Sequence, residues 1–289
     1  QLGGNLPLFS RGAGKLGLDV TCIGMLGEDG TIDRTFQEMP CRLYSFAPAG
    51  QSTNLEFRDG KVFLAPDNTL PGSPWELVRS ATGGKAAEIF RTAILTALLN
   101  WSELAFAQEL WEAAYEEAFA GEPCDKSRFA FFDLCDCSRK TQDEIEAVLR
   151  LIGRFAKQRT TILSVNENEA HVISSRVLDG SREPVIIAKL LRERYGIDEV
   201  LIHTIRESLL VTCRGTTLHP TLFVERPKLS TGAGDHFNAS FCFGTVMGFS
   251  DEDRLLCSNS YANFYISQGY SPSLQEVVHH TVSKSHGLE

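Results

Sequence analysis

The sequence predicts an α/β fold, a sheet sandwiched between layers of helices. Short apolar runs alternate with helical stretches from Phe129 onward, the order expected of strands joined by crossover helices. Capping residues stand where those helices begin. Two short apolar runs between Leu209 and Val224 follow one another directly, so that end of the sheet is expected to be mixed.

Taken in order, Gly3-Gly4 precede a helical stretch. Gly12-Ala13-Gly14-Lys15-Leu16-Gly17 spells a G-x-G-x-x-G string, but a dinucleotide fingerprint follows a strand and opens a helix. Here the apolar run Val20 to Leu26 comes after the glycines, so they read as a helix ending and a turn into a strand. A Walker loop is also excluded, because Leu16 stands where Ser or Thr should follow the lysine. Ser52 to Phe57 and Lys61 to Leu64 flank Arg58-Asp59-Gly60, and Asp-Gly between β-like runs signals a hairpin. Residues 41–64 are therefore expected to form a small antiparallel appendage, either a cover over a pocket or a plain surface hairpin. Asp67 to Pro74 and Thr82 to Lys85 read as loops.

Glu88 to Leu99 reads as a helix, and Ser102 to Ala120 as another with Asn100 or Ser102 as its cap. A strand is expected over Phe129 to Leu134. Thr141 caps the next helix, with Asp143 and Glu144 in its first turn and an end near Gln158. A strand from Thr160 to Val165 leads into a helical or looped piece from Glu167 to Ser174. Pro184 to Tyr195 is a helix, Val200 to His203 and Leu209 to Cys213 are strands, and Asp235 to Gly248 and Asp251 to Ser267 are helices.

Composition narrows the partners. The 289 residues carry a formal net charge of −9, which opposes non-specific nucleic-acid binding, and no polybasic run is present. No apolar stretch reaches membrane-spanning length. Several of the eight cysteines sit inside apolar runs, which suits buried thiols in a reducing, cytoplasmic setting better than a disulfide framework. The lone Cys135-Asp136-Cys137 is a weak zinc signal.

Ser230-Thr231-Gly232-Ala233-Gly234-Asp235 carries the strongest local chemistry. Small residues let backbone amides approach a ligand, and the first amides of a helix lack internal acceptors. Such a turn accepts phosphate or a developing oxyanion. Asp235 beside it is either a plain helix cap or a base that takes a proton from an attacking alcohol. Each such donor is worth roughly 3–4 kcal/mol to a transition state. Asn166 and Glu169, three residues apart at a strand end, read either as a helix-start cap or as oxygen donors around one hydrated magnesium ion.

Thr-Gly-Ala-Gly-Asp before a small-residue helix resembles the second signature of the PfkB carbohydrate kinase family. Gly3-Gly4 with Lys15-Leu16-Gly17 resembles the first signature, and Asn166-Glu167-Asn168-Glu169 resembles the family's N-x-x-E motif. The motifs fall in family order over nearly the whole chain. The resemblance implies a single ribokinase-like kinase domain over 1–289, a three-layer α/β/α sandwich with a small antiparallel β lid at about 41–64. It implies transfer of the γ-phosphate of ATP to a hydroxyl of a sugar or polyol. Gly232, Ala233 and Gly234 would form the anion hole and Asp235 would be the base. Asn166 and Glu169 would organise Mg²⁺ and phosphate through water. His203, Thr204 and Asn259 would lie near adenine, and Gly3, Gly4 and Asn5 near the acceptor. The lid would cover the sugar and could join two copies into a homodimer.

The pattern also departs from the family. The sequence begins after the point where the family's first strand, which carries a substrate-binding Asp, is expected, and Leu8 replaces a common Asn in register. Leu229 stands where many members place an Asp that serves a monovalent cation, so weak or absent potassium dependence is expected. Two other functions fit the same motifs: a nucleoside kinase, and a catalytically weak binding or regulatory protein on this fold. A nicotinamide oxidoreductase rests only on the misplaced glycines at 12–17.

Overall fold

The computed structural model describes residues 3–28, 30–50, 53–57, 60–64 and 69–285. Helix α1 (Asn5–Lys15) leads through Gly17, at φ 99°, into strand β1 (Thr21–Gly24). The string at 12–17 is thus the end of a helix. Strand β2 (Arg42–Ser45) pairs in parallel with β1, and β3 (Thr53–Phe57) pairs antiparallel with β4 (Gly60–Leu64). The appendage is therefore two small two-stranded sheets, one of them parallel, because Arg42 to Ser45 found a partner early in the chain. The expected hairpin tip, Arg58-Asp59, lies outside the described residues, as do Ser52 and Asp67.

Helices α2 (Pro74–Ala81) and α3 (Ala86–Thr92) precede β5 (Leu95–Leu99). This corrects the single helix expected over Glu88 to Leu99: Leu95 to Leu99 form a parallel strand against Phe129 to Asp133. Helix α4 (Ala107–Ala118) begins after Phe106, so neither Asn100 nor Ser102 is its cap; Asn100 instead adopts φ 68° as β5 turns away. The rest follows as β6 (Phe129–Asp133), α5 (Gln142–Phe155), β7 (Thr160–Asn166), α6 (Glu167–Val177), α7 (Pro184–Tyr195), β8 (Glu199–His203), β9 (Glu207–Thr212), β10 (Gly215–Pro220), α8 (Ala233–Val246), α9 (Asp251–Gln268) and α10 (Leu274–Ser285).

Six strands form the main sheet in the order β10-β9-β8-β7-β6-β5. Strands β5 to β8 are parallel and β9 and β10 antiparallel, giving the mixed end. The inner strands are almost continuously apolar because both faces are covered. In β6, Ala130 and Phe132 join the core beneath α4, α5, α6 and α7, while Phe131 joins the opposite core beneath α1, α8 and α9. In β8, Val200 and Ile202 go one way and Leu201 the other. This period-two division makes three layers from one sheet. Among the described residues, no helix is long and apolar enough to cross a membrane.

Candidate active site

The carboxyl ends of the parallel strands bring the chemistry together, the usual ligand position in such sheets. Strand β7 ends at Asn166, paired with His203 at the end of β8, and β6 ends at Asp133, paired with Ser164. Helix α8 approaches the same end with its N-terminus.

At that N-terminus Gly232 is the cap residue at φ 92°. A side chain there would be strained by its backbone and would meet Leu8 Cδ1 at 2.8 Å. The amides of Gly234 and Asp235 have no acceptor among the described residues, whereas Ala233 already donates to the Ser230 carbonyl at 3.2 Å. The expected donor trio is thus unequal. Two side chains hold the turn: Tyr265 Oη donates to the Thr231 carbonyl at 3.0 Å, and His236 Nδ1 lies 2.7 Å from the Gly232 carbonyl. A carbonyl only accepts, so Nδ1 carries the proton and Nε2, 2.7 Å from Ser271 Oγ, accepts. Burial pushes the His236 pKa down to about 4, so the ring stays neutral, stacked 3.7 Å from Tyr265. His236 is a clamp on the turn.

Asp235 is buried, and its carboxyl pKa lies well above the usual range. Burial is the main cause, the charge of Asp133 adds to it, and a hydrogen bond from Asn5 opposes it. The structure so brings Asn5 to Asp235. Gly3 is exposed, and Gly4, at φ 88°, forms the turn into α1.

Asn166 and Glu169 form a reciprocal capping box. The Glu169 amide donates to Asn166 Oδ1 at 2.9 Å, and the Asn166 amide donates to Glu169 Oε2 at 2.8 Å. Asn166 Nδ2 also donates to Glu169 Oε1 at 2.6 Å. Burial, then the charge of Asp133, raises the Glu169 carboxyl to about 8.

Asp133 escaped the sequence reading. It accepts from the Cys135 amide at 3.0 Å and from Asn238 Nδ2 at 2.8 Å, and burial raises its pKa. Asn238 also accepts from Ser164 Oγ at 2.7 Å, so the second turn of α8 is fastened to β6 and β7. The available signal was an acidic residue ending an apolar strand.

Ala233 and Gly234 open onto a cavity of about 570 Å³. Asn166, His203, Thr204 and Asn259 line it, with Phe223 and Ile266 on its apolar wall. The turn is therefore accessible. His203 is held neutral by burial, with a pKa pushed down to about 4, and its ring packs 4.9 Å from Phe237. Thr204 Oγ1 accepts from the Arg206 and Glu207 amides and shapes the β8–β9 turn. Asn259 Nδ2 donates to Ser208 Oγ at 3.0 Å, while its Oδ1 is buried with no partner among the described residues.

A largely apolar cavity leading to amides that lack acceptors among the described residues fits a nucleotide: base in the cavity, phosphates at the turn. Among the described residues, no three His, Cys, Asp or Glu side chains stand close enough to cage a metal. The acidic groups instead suit an ion that keeps its waters, as Mg²⁺ does.

Fold and site together define a class, the ribokinase-like kinases of the PfkB superfamily, which are ATP-dependent phosphotransferases. Within that class the chain belongs to the prokaryotic ketohexokinase family, whose model matches residues 1–284. It is 23% identical over 280 residues to a ketohexokinase of Haloferax volcanii, covering 96% of this chain and 74% of that protein. Among solved structures it is similar to adenosine kinase of Sinorhizobium meliloti, with a TM-score of 0.73, 19% identity and coverage of 98% and 83% of the two chains. It is also similar to ribokinase of Thermotoga maritima, with a TM-score of 0.70, 17% identity and coverage of 96% and 86%. At these identities the structures speak for the fold alone.

Proposed function

We propose that the protein moves the γ-phosphate of ATP onto a hydroxyl of a sugar, a ketohexose before other acceptors, with Asp235 as the base. The observation that carries this reading is the position of Asp235: its buried carboxyl stands on the first turn of α8, beside the open Gly234 amide at the cavity mouth. Family membership supports the acceptor class.

In this reading the Gly232–Gly234 turn receives the transferring phosphoryl oxygens. Magnesium, when bound, would supply positive charge against the phosphates; Asn166 and Glu169 would orient its waters, and adenine would lie by His203, Thr204 and Asn259. Asp235, ionised, accepts the proton of the attacking hydroxyl. Asn5 donates to that carboxyl and orients it, with Gly3 and Gly4 on the acceptor side. The hairpin of β3 and β4 covers the sugar, limits water at the reacting phosphate, and is the surface on which two copies would meet.

The test is an ATP-dependent phosphorylation screen over ketohexoses, other sugars, polyols and nucleosides. Asp235→Asn should lower turnover by roughly 10²-fold or more while ATP binding persists. Undiminished turnover in that variant removes Asp235 from the chemistry, and preference for a nucleoside replaces the acceptor. Because Leu229 offers no carboxylate, rates in potassium and in a large inert cation should agree.

A further inference from the structure

At the opposite ends of the same strands, three arginines converge. Arg91 lies in the last turn of α3, Arg128 immediately precedes β6 and Arg159 immediately precedes β7. Together with Glu88, Glu122 and Asp125 they line a cavity of about 480 Å³. The length of β6 separates it from the catalytic cleft by roughly 17 Å.

The charges there are unequally matched. Asp125 lies 3.2 Å from Arg128 Nε, and Glu122 lies 3.5 Å from Arg91. Arg159 has no carboxylate partner among the described residues. Only 4% exposed, it donates to the carbonyls of Gln158 at 3.2 Å and Arg91 at 3.4 Å, and it lies over the Phe119 ring. The Arg91 carbonyl also accepts from Arg128 Nη1 at 2.8 Å. Two guanidinium groups thus share one carbonyl oxygen at the end of a helix. A helix C-terminus accounts for one cation. It does not account for a second, withdrawn from water beside the first. Burial, then the charge of Arg128, lowers the Arg159 pKa, and the nearby charges of Asp125 and Glu122 offset this only in part; a guanidinium keeps its proton, so a further opposite charge would relieve it.

We propose that this cavity binds a small, weakly charged oxyanion, a monocarboxylate or inorganic phosphate, seated on Arg159 and Arg128. The planar fork of a guanidinium matches either geometry. The acids on the walls disfavour polyanions: Glu88 is exposed and its carboxylate has no partner among the described residues.

The experiment is calorimetric titration of the chain with sodium acetate and, separately, sodium phosphate, against sodium chloride of equal ionic strength. Saturable binding of at least one is expected, and the arm that binds identifies the source. Arg159→Met should weaken it at least about tenfold. Glu88→Gln, which removes a repelling charge at an exposed position, should tighten it about twofold to threefold. An anion held at the Gly232–Gly234 turn would respond to neither substitution. No saturable heat from either anion up to about 100 mM, or affinity unchanged in both variants, overturns the proposal. Should Arg159→Met not fold, unchanged affinity in Glu88→Gln is enough to overturn it.

Discussion

The charge of Asp133 raises the pKa of both Glu169 and Asp235, and the charge of Glu169 adds to the rise at Asp235, which sets the pH at which Asp235 can accept a proton. A base works only when ionised. Burial first, then Asp133, holds the Asp235 pKa above the ordinary carboxylate range, so activity should fall on the acid side at a pH higher than an exposed Asp would give. Replacing Asp133 with Asn removes one negative charge from the neighbourhood while keeping an oxygen for the Cys135 amide. Asp235 then ionises more easily, and the acid limb of kcat/KM should move to lower pH. An acid limb that stays in place would show that the charge of Asp133 does not reach the base. His236 plays no part in this limb, because its neutral ring is committed at both nitrogens to Gly232 and Ser271.

Among the elements, α5 shows how packing overrules propensity. Gly153 stands in its last turn, where glycine costs a helix up to about 1 kcal/mol relative to alanine. Propensity alone would make Gly153→Ala stabilising. The Tyr195 carbonyl at the end of α7, however, lies 2.0 Å from where the new methyl would sit. The substitution should force α5 and α7 apart and lose about 1–3 kcal/mol, measured as a lower urea midpoint at unchanged slope. The same competition explains which elements were legible beforehand. Pro184 to Tyr195 and the Thr141 cap are written in local signals, Pro at the first helical turn and Glu144 three residues after Thr141, and they occur where expected. Leu95 to Leu99 carries no such mark. An apolar run rich in Leu and Ala suits either a buried helix or a buried strand, and only pairing with β6 makes it a strand. The parallel pairing of β2 with β1 is likewise non-local. At the site, the Gly232 to Asp235 turn was legible because a helix start is a local pattern. Asp133 was not, because its meaning depends on Asn238, 105 residues away in sequence.

Over the whole molecule, the helix that carries the site must be fixed to the sheet at both ends. Near its start Asn238, in the second turn, ties it to Asp133 of β6, while His236 and Tyr265 of α9 hold the turn that leads into it. Its last turn is fastened by one buried cation. Arg254 of α9 donates to Glu199 of β8 at 2.8 Å and to Thr245 of α8 at 3.3 Å, also binds Asp251, and lies over the Phe241 ring. Arg214, on the β9–β10 turn, shares Asp251 at 2.6 Å. Sheet, α8 and α9 therefore meet at a single guanidinium. Such a pair gains less than its Coulomb attraction suggests, since both charges lost water on burial, but removing one partner strands the other. Arg254→Met should thus cost about 3–5 kcal/mol, a large share of a typical net stability of about 5–15 kcal/mol. Arg254→Met combined with Glu199→Met should recover most of that loss, because no lone charge remains buried. Urea unfolding of the two single variants and the double variant measures the coupling. If the double variant were no more stable than Arg254→Met alone, the network would hold α8 by the shape of its side chains and not by its charge.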